Sequence, residues 1–572
     1  MKNKSKLILL TGLIFLVNLC NAQIPVNNNR YLAYVEVYPV KTGTPNRIQV
    51  AKNLGCNAIN FTIEYRAVHG FNPVPNIWAS YDSIMVKAKS LNMKIGIRVL
   101  VDNACLSSTL GDGSNNNAQI CSNIVSSERM LGKLLNNGGE LVHQQVSGES
   151  QTNPPEYENR VMTSLAAQST KDRITSFTNE ILTRYKSTYL TDILWMNIAY
   201  TSEQEGGFPY YSNKGNGGDV LFDYSLPMIQ GFRSWLQDKY GTIEVLNSKW
   251  SRNYTGFNDT SIYPKIPQST FKSAFEGNDG KDWWSYRTKV LRDATEIFMQ
   301  TVRNQTTQIR VISDYGSVYD GLSLRRGTYN FKDINTNTDG VKINDAPYYD
   351  HRFATDLVRS NMPNKFIANE VEYSIGQNDN CFQQFRECYD NGANWVNIFQ
   401  FQKLVDNNKG GDLTTIANTY LGTQVPTINA TQSTSFKLSS MLLSEGCEFS
   451  NKLGNEPYVE SHNCLAYSNW KTKFNISNSS VNIILEDDIS EVFASGNCNV
   501  SAPINMSANP STTTSTSEQK VTLSGNCPNG VIIWNTPSRT SSVKPTSTTT
   551  YTATCVISGA SSVGSNNITV AQ

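Results

Sequence analysis

The sequence predicts a (β/α)8 barrel followed by smaller β-rich modules. Three observations predict it. Between residues 31 and 421, short apolar runs alternate with helix-like stretches, the pattern of βα units around a parallel sheet. Eight such runs occur in that length, enough to close a barrel. No glycine-rich dinucleotide fingerprint follows the first run, which weighs against an open doubly wound sheet.

The elements follow in order. Tyr31-Leu-Ala-Tyr-Val-Glu-Val-Tyr38 reads as the first strand, with a helix over 46–54. The second strand covers 57–63 and its helix 77–91; the third strand covers 93–101. A long polar insertion, 102–168, then precedes a helix over 170–186 and the fourth strand, 192–199. A second excursion carries helices over 224–240 and 283–304, where one or both of Trp283 and Trp284 should pack inward. Strands five to eight are expected at 308–313, 340–344, 365–369 and 394–400. The barrel is thus assigned to 23–423. Residues 424–499 read as an accessory β-rich layer with a helix over 433–443, and residues 500–572 as a separate β-sandwich.

The chain's ends and composition speak to compartment. Lys2, Lys4 and Lys6 precede an apolar run at 7–17, and Cys20-Asn21-Ala22 offers a small residue at a cut site. That is the layout of a signal peptide over 1–22, so the protein is expected outside the cytoplasm, secreted or at the cell surface. No later run is long enough to span a bilayer. The net charge of +1 gives nucleic acid and anionic membranes no electrostatic pull. The cysteines fall in sequence-local pairs, Cys105 with Cys121, Cys381 with Cys388, Cys447 with Cys464 and Cys527 with Cys555. An oxidising compartment favours bridging such pairs, although connectivity is not readable from sequence. Cys56, beside an apolar strand, reads as a buried thiol. With four scattered histidines and no CxxC pattern, no metal and no cofactor is expected.

Chemistry in such barrels sits at the C-terminal strand ends. There the fourth strand runs on into Thr201-Ser-Glu-Gln-Glu205-Gly-Gly, and the seventh into Glu370-Val-Glu372-Tyr373. Glycosidic cleavage needs one carboxyl group to protonate the leaving oxygen and a second to attack or to activate water. Glu203 and Glu205 are two apart, as are Glu370 and Glu372, so in extended backbone each pair shares a face. Glu205 and Glu372 are the preferred members, with Glu203 and Glu370 as the alternatives. Tyr315, Tyr348 and Trp395 could offer aromatic faces to a sugar, and Asp345 could hold a hydroxyl. Each of these has a plain packing or capping alternative.

The stretch Phe232-Arg-Ser-Trp-Leu-Gln-Asp-Lys-Tyr-Gly-Thr-Ile-Glu-Val-Leu-Asn-Ser-Lys-Trp250 resembles a helical segment of the β-galactosidase-type family among clan A glycoside hydrolases. The resemblance implies a barrel enzyme with an acid/base Glu at the fourth strand and a nucleophilic Glu at the seventh. It implies an oligo- or polysaccharide as substrate and a retaining mechanism. That clan precedes its acid/base Glu with Asn; here Gln204 stands in that place, able to donate to a sugar 2-hydroxyl. Farther on, Pro545-Thr-Ser-Thr-Thr-Thr-Tyr-Thr-Ala-Thr-Cys555 and a Trp between two cysteines resemble the Ig-like repeats of secreted bacterial enzymes. Because the Asn-Glu pair is altered, a non-catalytic carbohydrate-binding surface protein stays open beside the enzyme. So does an adhesin built on the terminal module.

Overall fold

Runs such as Ile95-Gly-Ile-Arg-Val-Leu100 are rich in β-branched residues, which suit a pleated and covered surface. In the computed structural model they form strands. The structure describes residues 28–36, 44–70, 73–102, 105–106, 124–134, 140–141, 160–201, 205–209, 220–268, 271–316, 318, 321–345, 351–373, 381–425, 435–437, 482–485, 499–501, 504–509, 511, 521–526, 531–534, 542–543, 545, 547–557 and 565–571. The signal-peptide expectation lies outside them. Among the described residues no helix is long and apolar enough to cross a membrane.

Eight strands close a barrel in sequence order. They are β1 (Tyr31–Glu36), β2 (Ala58–Glu64), β3 (Lys94–Leu100), β4 (Ile193–Ala199), β5 (Arg310–Tyr315), β6 (Gly340–Asp345), β7 (Phe366–Glu372) and β8 (Trp395–Phe399). Neighbours pair in parallel all the way round. Outside run α1 (Thr44–Asn53), α2 (Ile77–Ser90), α3 (Gln168–Tyr189), α4 (Leu226–Tyr240), α5 (Ile243–Trp250), α6 (Gly277–Gln305), α7 (His351–Asn361), α8 (Cys381–Asp390) and α9 (Gly410–Tyr420). β5 and β7 run two and three residues past the expected ends at 313 and 369, because their last residues still pair with β6 and β8.

Side chains on alternate positions point into the barrel and stack in layers drawn in turn from odd and even strands. The lower layers are apolar. Trp195 of β4 meets Trp395 of β8 edge-on, with ring centroids 5.2 Å apart, and Tyr31 packs on Trp395 at 5.6 Å. Ala33, Ala58, Leu194, Ile312, Phe366 and Ala368 complete this cluster. Opposite faces of the same strands bury a larger core against the helices. There Cys56 is a buried free thiol, and burial pushes it up to about 12. Trp283 and Trp284 both pack inward, at 0% and 4% exposure.

The two excursions after β3 and β4 are tied to each other. Gly132–Leu134 pairs antiparallel with Val220–Phe222. Asp223 accepts from Leu131 N at 3.1 Å, Ser164 Oγ at 2.6 Å and Ser225 N at 2.8 Å. Burial raises the Asp223 carboxyl, and these donors work against that rise.

Downstream, the helix expected over 433–443 is corrected at 435–437, the part of it that the structure describes. Ser435–Lys437 is a strand, paired in parallel with Asn482–Ile484. The stretch Ser433-Thr-Ser-Phe-Lys437 is a weak helix former, since Ser and Thr compete for backbone hydrogen bonds. The partner strand docks on α7 through Asn361, which donates to Ile483 O at 2.7 Å and accepts from Leu485 N at 3.1 Å. The C-terminal segment forms two antiparallel sheets sharing a core of Val521, Leu523, Val543, Tyr551, Ala553 and Val570. Each of the four expected disulfides involves at least one cysteine side chain outside the described residues.

Gly96 faces Trp195: a methyl group on it would come within 2.3 Å of the indole. Gly96→Ala should therefore cost about 1–3 kcal/mol through overpacking, measured by chemical denaturation. Unchanged stability would mean that the lower core is looser than this packing implies.

Candidate active site

Above the tryptophans the barrel interior turns ionic. Inward positions of an odd-strand layer bring together Arg98 of β3, Asp314 of β5 and Glu370 of β7. The even-strand layer beneath adds Asn197, Lys342 and Asn397. Arg98 donates from Nε to Asp314 Oδ2 at 2.8 Å, and its Nη2 lies 3.7 Å from Glu370 Oε2. Lys342 Nζ reaches Asp314 Oδ1 at 2.8 Å and Glu370 Oε2 at 3.1 Å. Asn197 donates to Asp314 at 2.7 Å, and Asn397 to Glu370 at 3.2 Å. Trp395 Nε1 anchors Asn397 from below at 2.6 Å. Two cations thus face two carboxylates, all nearly sealed from solvent. Burial alone would lower the Arg98 guanidinium; Asp314, Glu370 and Glu205 outweigh it and hold the group above its ordinary value.

Glu205 reaches the barrel by an unusual route. The chain leaves β4 and folds back, so that Tyr200 N donates to Glu205 O at 3.0 Å. Next, Gly206 N donates to Asp314 O at 2.7 Å, and Phe208 N to Arg326 O at 2.9 Å. These bonds lay the Glu205 side chain over Gly316, the next inward position after Asp314. A methyl group on Gly316 would fall 2.4 Å from Glu205 Oε1 and 2.8 Å from Cδ. The carboxylate from the β4 loop therefore occupies the space that a β5 side chain would fill. Arg326, itself buried, forms an ion pair with Glu205.

Glu372 lies two residues past Glu370 and points to the same inward face. It is only half-buried, and Gln400 Nε2 donates to its Oε1 at 2.6 Å. In the layer order of the barrel it stands level with Gly316, and so with the Glu205 carboxylate, one level above Glu370.

The other expected site residues separate. Trp395 is fully buried in the lower core, a packing residue and not a sugar platform. Tyr315 faces the helices, is 1% exposed, and accepts from Asn335 Nδ2 at 2.8 Å; burial pushes its phenol up to about 12. Asp345 ends β6, but its side chain, like Glu203, Gln204 and Tyr348, lies outside what the structure describes. Arg98, Lys342 and Arg326 are the residues that sequence reasoning missed. Their signal is a charge at an inward position of an otherwise apolar strand, for Arg98 and Lys342; Arg326 carries no such mark. Among the described residues no cluster of His, Cys, Asp and Glu is arranged to hold a metal ion.

Comparison with known proteins gives the fold a setting. Neither a scan of family models nor a search of curated proteins found a match. Among solved structures, the chain is similar to the catalytic domain of β-amylase from Paenibacillus polymyxa, at 16% identity and TM-score 0.50, covering 69% of this chain and 99% of that one. It is also similar to the β-galactosidase of the haloarchaeon Halorubrum lacusprofundi, at 12% identity and TM-score 0.50, covering 72% of this chain and 61% of that one. The β-galactosidase of Rahnella sp. R3 matches at 10% identity and TM-score 0.53, covering 81% and 66%. The chain thus spans less than two thirds of the length of these two β-galactosidases. The likeness is one of fold: the barrel is of the kind these glycoside hydrolases have.

Two outcomes follow from the geometry. Lys342→Met should destabilise the fold by about 3–5 kcal/mol, because it leaves Asp314 and Glu370 facing one cation fewer in a buried layer; denaturant titration measures it. Gly316→Ala should leave the barrel folded but displace Glu205. If Glu205 reacts, a misplacement of this size should cost on the order of 100-fold in turnover, and an unimpaired variant would remove Glu205 from the chemistry.

Proposed function

We propose that the protein is an exported glycoside hydrolase that cleaves a β-linked glycoside or polysaccharide with retention, using Glu205 and Glu372. The observation that carries this reading is the placement of two carboxyl groups at one level of the barrel mouth, above a polar floor. Glu205 arrives from the β4 loop and Glu372 from β7. In this reading Glu205 protonates the glycosidic oxygen as the bond to the leaving group breaks. Glu372 attacks the anomeric carbon and forms a glycosyl ester. Glu205 then takes a proton from water, which displaces Glu372 and regenerates both groups.

The choice of Glu372 over Glu370 rests on access. Glu370 is 2% exposed, and its Oε2 already meets Lys342 and Asn397. Glu372 is half-buried at the rim, where a ring can approach. Arg98 and Lys342 keep the floor charge-balanced, so the reacting carboxylates sit over dipoles that are already oriented. The fold shared with solved β-amylase and β-galactosidase structures supports a carbohydrate substrate, and a β-galactoside is the first to try.

Glu205→Gln and Glu372→Gln should each abolish hydrolysis of glycosides with poor leaving groups while the circular dichroism spectrum stays unchanged. Gln keeps the size but neither gives a proton nor forms an ester. The lesions should differ. Glu205→Gln should retain activity on aryl glycosides with acidic leaving groups, which need little protonation, and external azide should rescue it. Glu372→Gln should lose all substrates alike. Proton NMR of the first product should show the anomer of the substrate; the inverted anomer would overturn retention. If Glu370→Gln behaves as expected of Glu372→Gln, the nucleophile is Glu370.

A further inference from the structure

We propose that Gln400 is a positioning residue for the chemistry at the barrel mouth: its side-chain amide holds the Glu372 carboxylate in its reacting orientation, and a left-handed backbone turn delivers that amide. The role rests on the nucleophile assigned to Glu372 above; the contact does not. Strand parity sets the starting point. Trp395, Asn397 and Phe399 take the inward positions of β8. Phe399 stands opposite Glu372 in the register of β7 and β8, and Tyr373 N donates to Phe399 O at 3.3 Å. Residue 400 comes next, and in extended backbone its side chain would turn toward the helices. It is not extended: its φ is 60° and its ψ 35°. From this turn Gln400 Nε2 reaches back into the mouth and donates to Glu372 Oε1 at 2.6 Å.

Such a turn is costly in a residue of this kind. The left-handed region suits glycine and, after it, asparagine and aspartate, whose short side chains bond locally. Among the described residues the other non-glycine residues at positive φ are Asn76, Asn92, Ser251, Asn364 and Asn408. Gln400 is the one with a long side chain, and the one that directly follows the C-terminal end of a barrel strand. Local capping does not explain it. Gln400 is the N-cap of the short helix Phe401–Asp406, and its side chain makes no cap hydrogen bond there. Oε1 of the same amide is buried and meets no hydrogen-bond partner among the described residues, which is a second cost. Glycine at 400 would remove both costs and would still serve as an N-cap. What glutamine supplies and glycine does not is the donor to Glu372. Backbone strain kept at a mouth, beside a reacting group, points to a role in the chemistry.

The donor matters to a carboxylate that must attack. An ionised carboxylate only accepts hydrogen bonds, so the amide meets it through Nε2. A bond to one oxygen fixes the plane of the group, and with it the direction in which the other oxygen points. The amide is also neutral. It orients Glu372 without cancelling its charge, whereas one level below Glu370 meets the ammonium of Lys342 at 3.1 Å. The two glutamates of β7 thus receive different partners: a cation for the one in the floor, a neutral donor for the one at the rim.

Two variants of the full chain test this, Gln400→Gly and Gln400→Met, the second keeping a side chain of similar reach without the donor. On the 4-nitrophenyl glycoside that the parent turns over fastest, each should lower kcat by about 10- to 100-fold with KM little changed, as a misaligned nucleophile requires. The acid limb of the kcat/KM profile should move to higher pH, since the lost bond favoured the ionised carboxylate. The thermal midpoint of Gln400→Gly should equal or exceed the parent's, because glycine relieves the left-handed turn. A residue with only a structural role would do the reverse, lowering the midpoint in step with activity and leaving the pH profile in place; that result would overturn the proposal. So would a parent-like kcat in Gln400→Met. A readout free of substrate is the titration of the Glu372 carboxyl carbon, 13C-labelled and assigned by its absence in Glu372→Gln. It should move to higher pH in both variants, and an unmoved titration overturns the contact. If Glu372→Gln turns over substrate as the parent does, the nucleophile reading itself fails, and the role of Gln400 in turnover goes with it, whatever the titration shows.

Discussion

Everything at the mouth of this barrel rests on the buried ionic layer of Arg98, Lys342, Asp314 and Glu370. Removing these groups from water costs several kcal/mol per ion, and mutual attraction repays it only where geometry is good and further hydrogen bonds fill the remaining sites. Both conditions are met. Asp314 takes donors from β3, β4 and β6, and Glu370 takes them from β6 and β8. The layer therefore ties six neighbouring strands to one another inside the barrel, where backbone pairing ties them only to the next strand. Hydrophobic side chains could fill the same space at less electrostatic cost. What the charges supply is a floor with fixed dipoles under the mouth.

The floor in turn depends on glycine above and below it. Gly96 makes room for Trp195 in the lower core, which lets two indoles close the barrel beneath the ions. Gly316 makes room for Glu205 above them. In both places a neighbour's side chain fills the volume that the strand's own residue vacates. The interior stays close-packed while its contents are supplied from off-register positions.

Much of this was legible in the sequence, and the reasons differ by element. The eight strands were legible because parallel strands buried on both faces read as continuous apolar runs. The positions of Glu205, Glu370 and Glu372 at the upper end of the barrel were legible because they follow the C-terminal ends of the fourth and seventh strands, which form the mouth in such a fold. Arg98 and Lys342 were legible in principle: a charge inside Ile-Gly-Ile-Arg-Val or Val-Lys-Ile breaks the apolar run at an inward position. They read as tolerated exceptions until their partners on other strands were known, since such pairing joins residues 98, 314, 342 and 370. Tyr315 was open between cleft and packing because an aromatic near a strand end looks the same whether it faces a cleft or a helix, and parity along the strand decides; Trp395, at the start of β8, read more readily as core, and it lies in the lower core. Residues 435–437, expected within a helix, form a strand because they find hydrogen bonds with a strand nearly fifty residues away, and local preference does not report such a partner.

The path of the chain after the fourth strand rests on the same physical ground. A strand that delivered its glutamate from a regular inward position would place it within the β4 register. Here β4 ends at Ala199, and the chain returns to hand Glu205 to β5. Three backbone bonds, from Tyr200 to Glu205, from Gly206 to Asp314 and from Phe208 to Arg326, pin the segment on both sides of the glutamate. Its position is set by main-chain hydrogen bonding to β4, β5 and the segment after β5, and only then by its own rotamer. The same bonds bring Arg326 to the carboxylate. The carboxylate thereby lies over Gly316, in space that a side chain there would fill, at the level of Glu372.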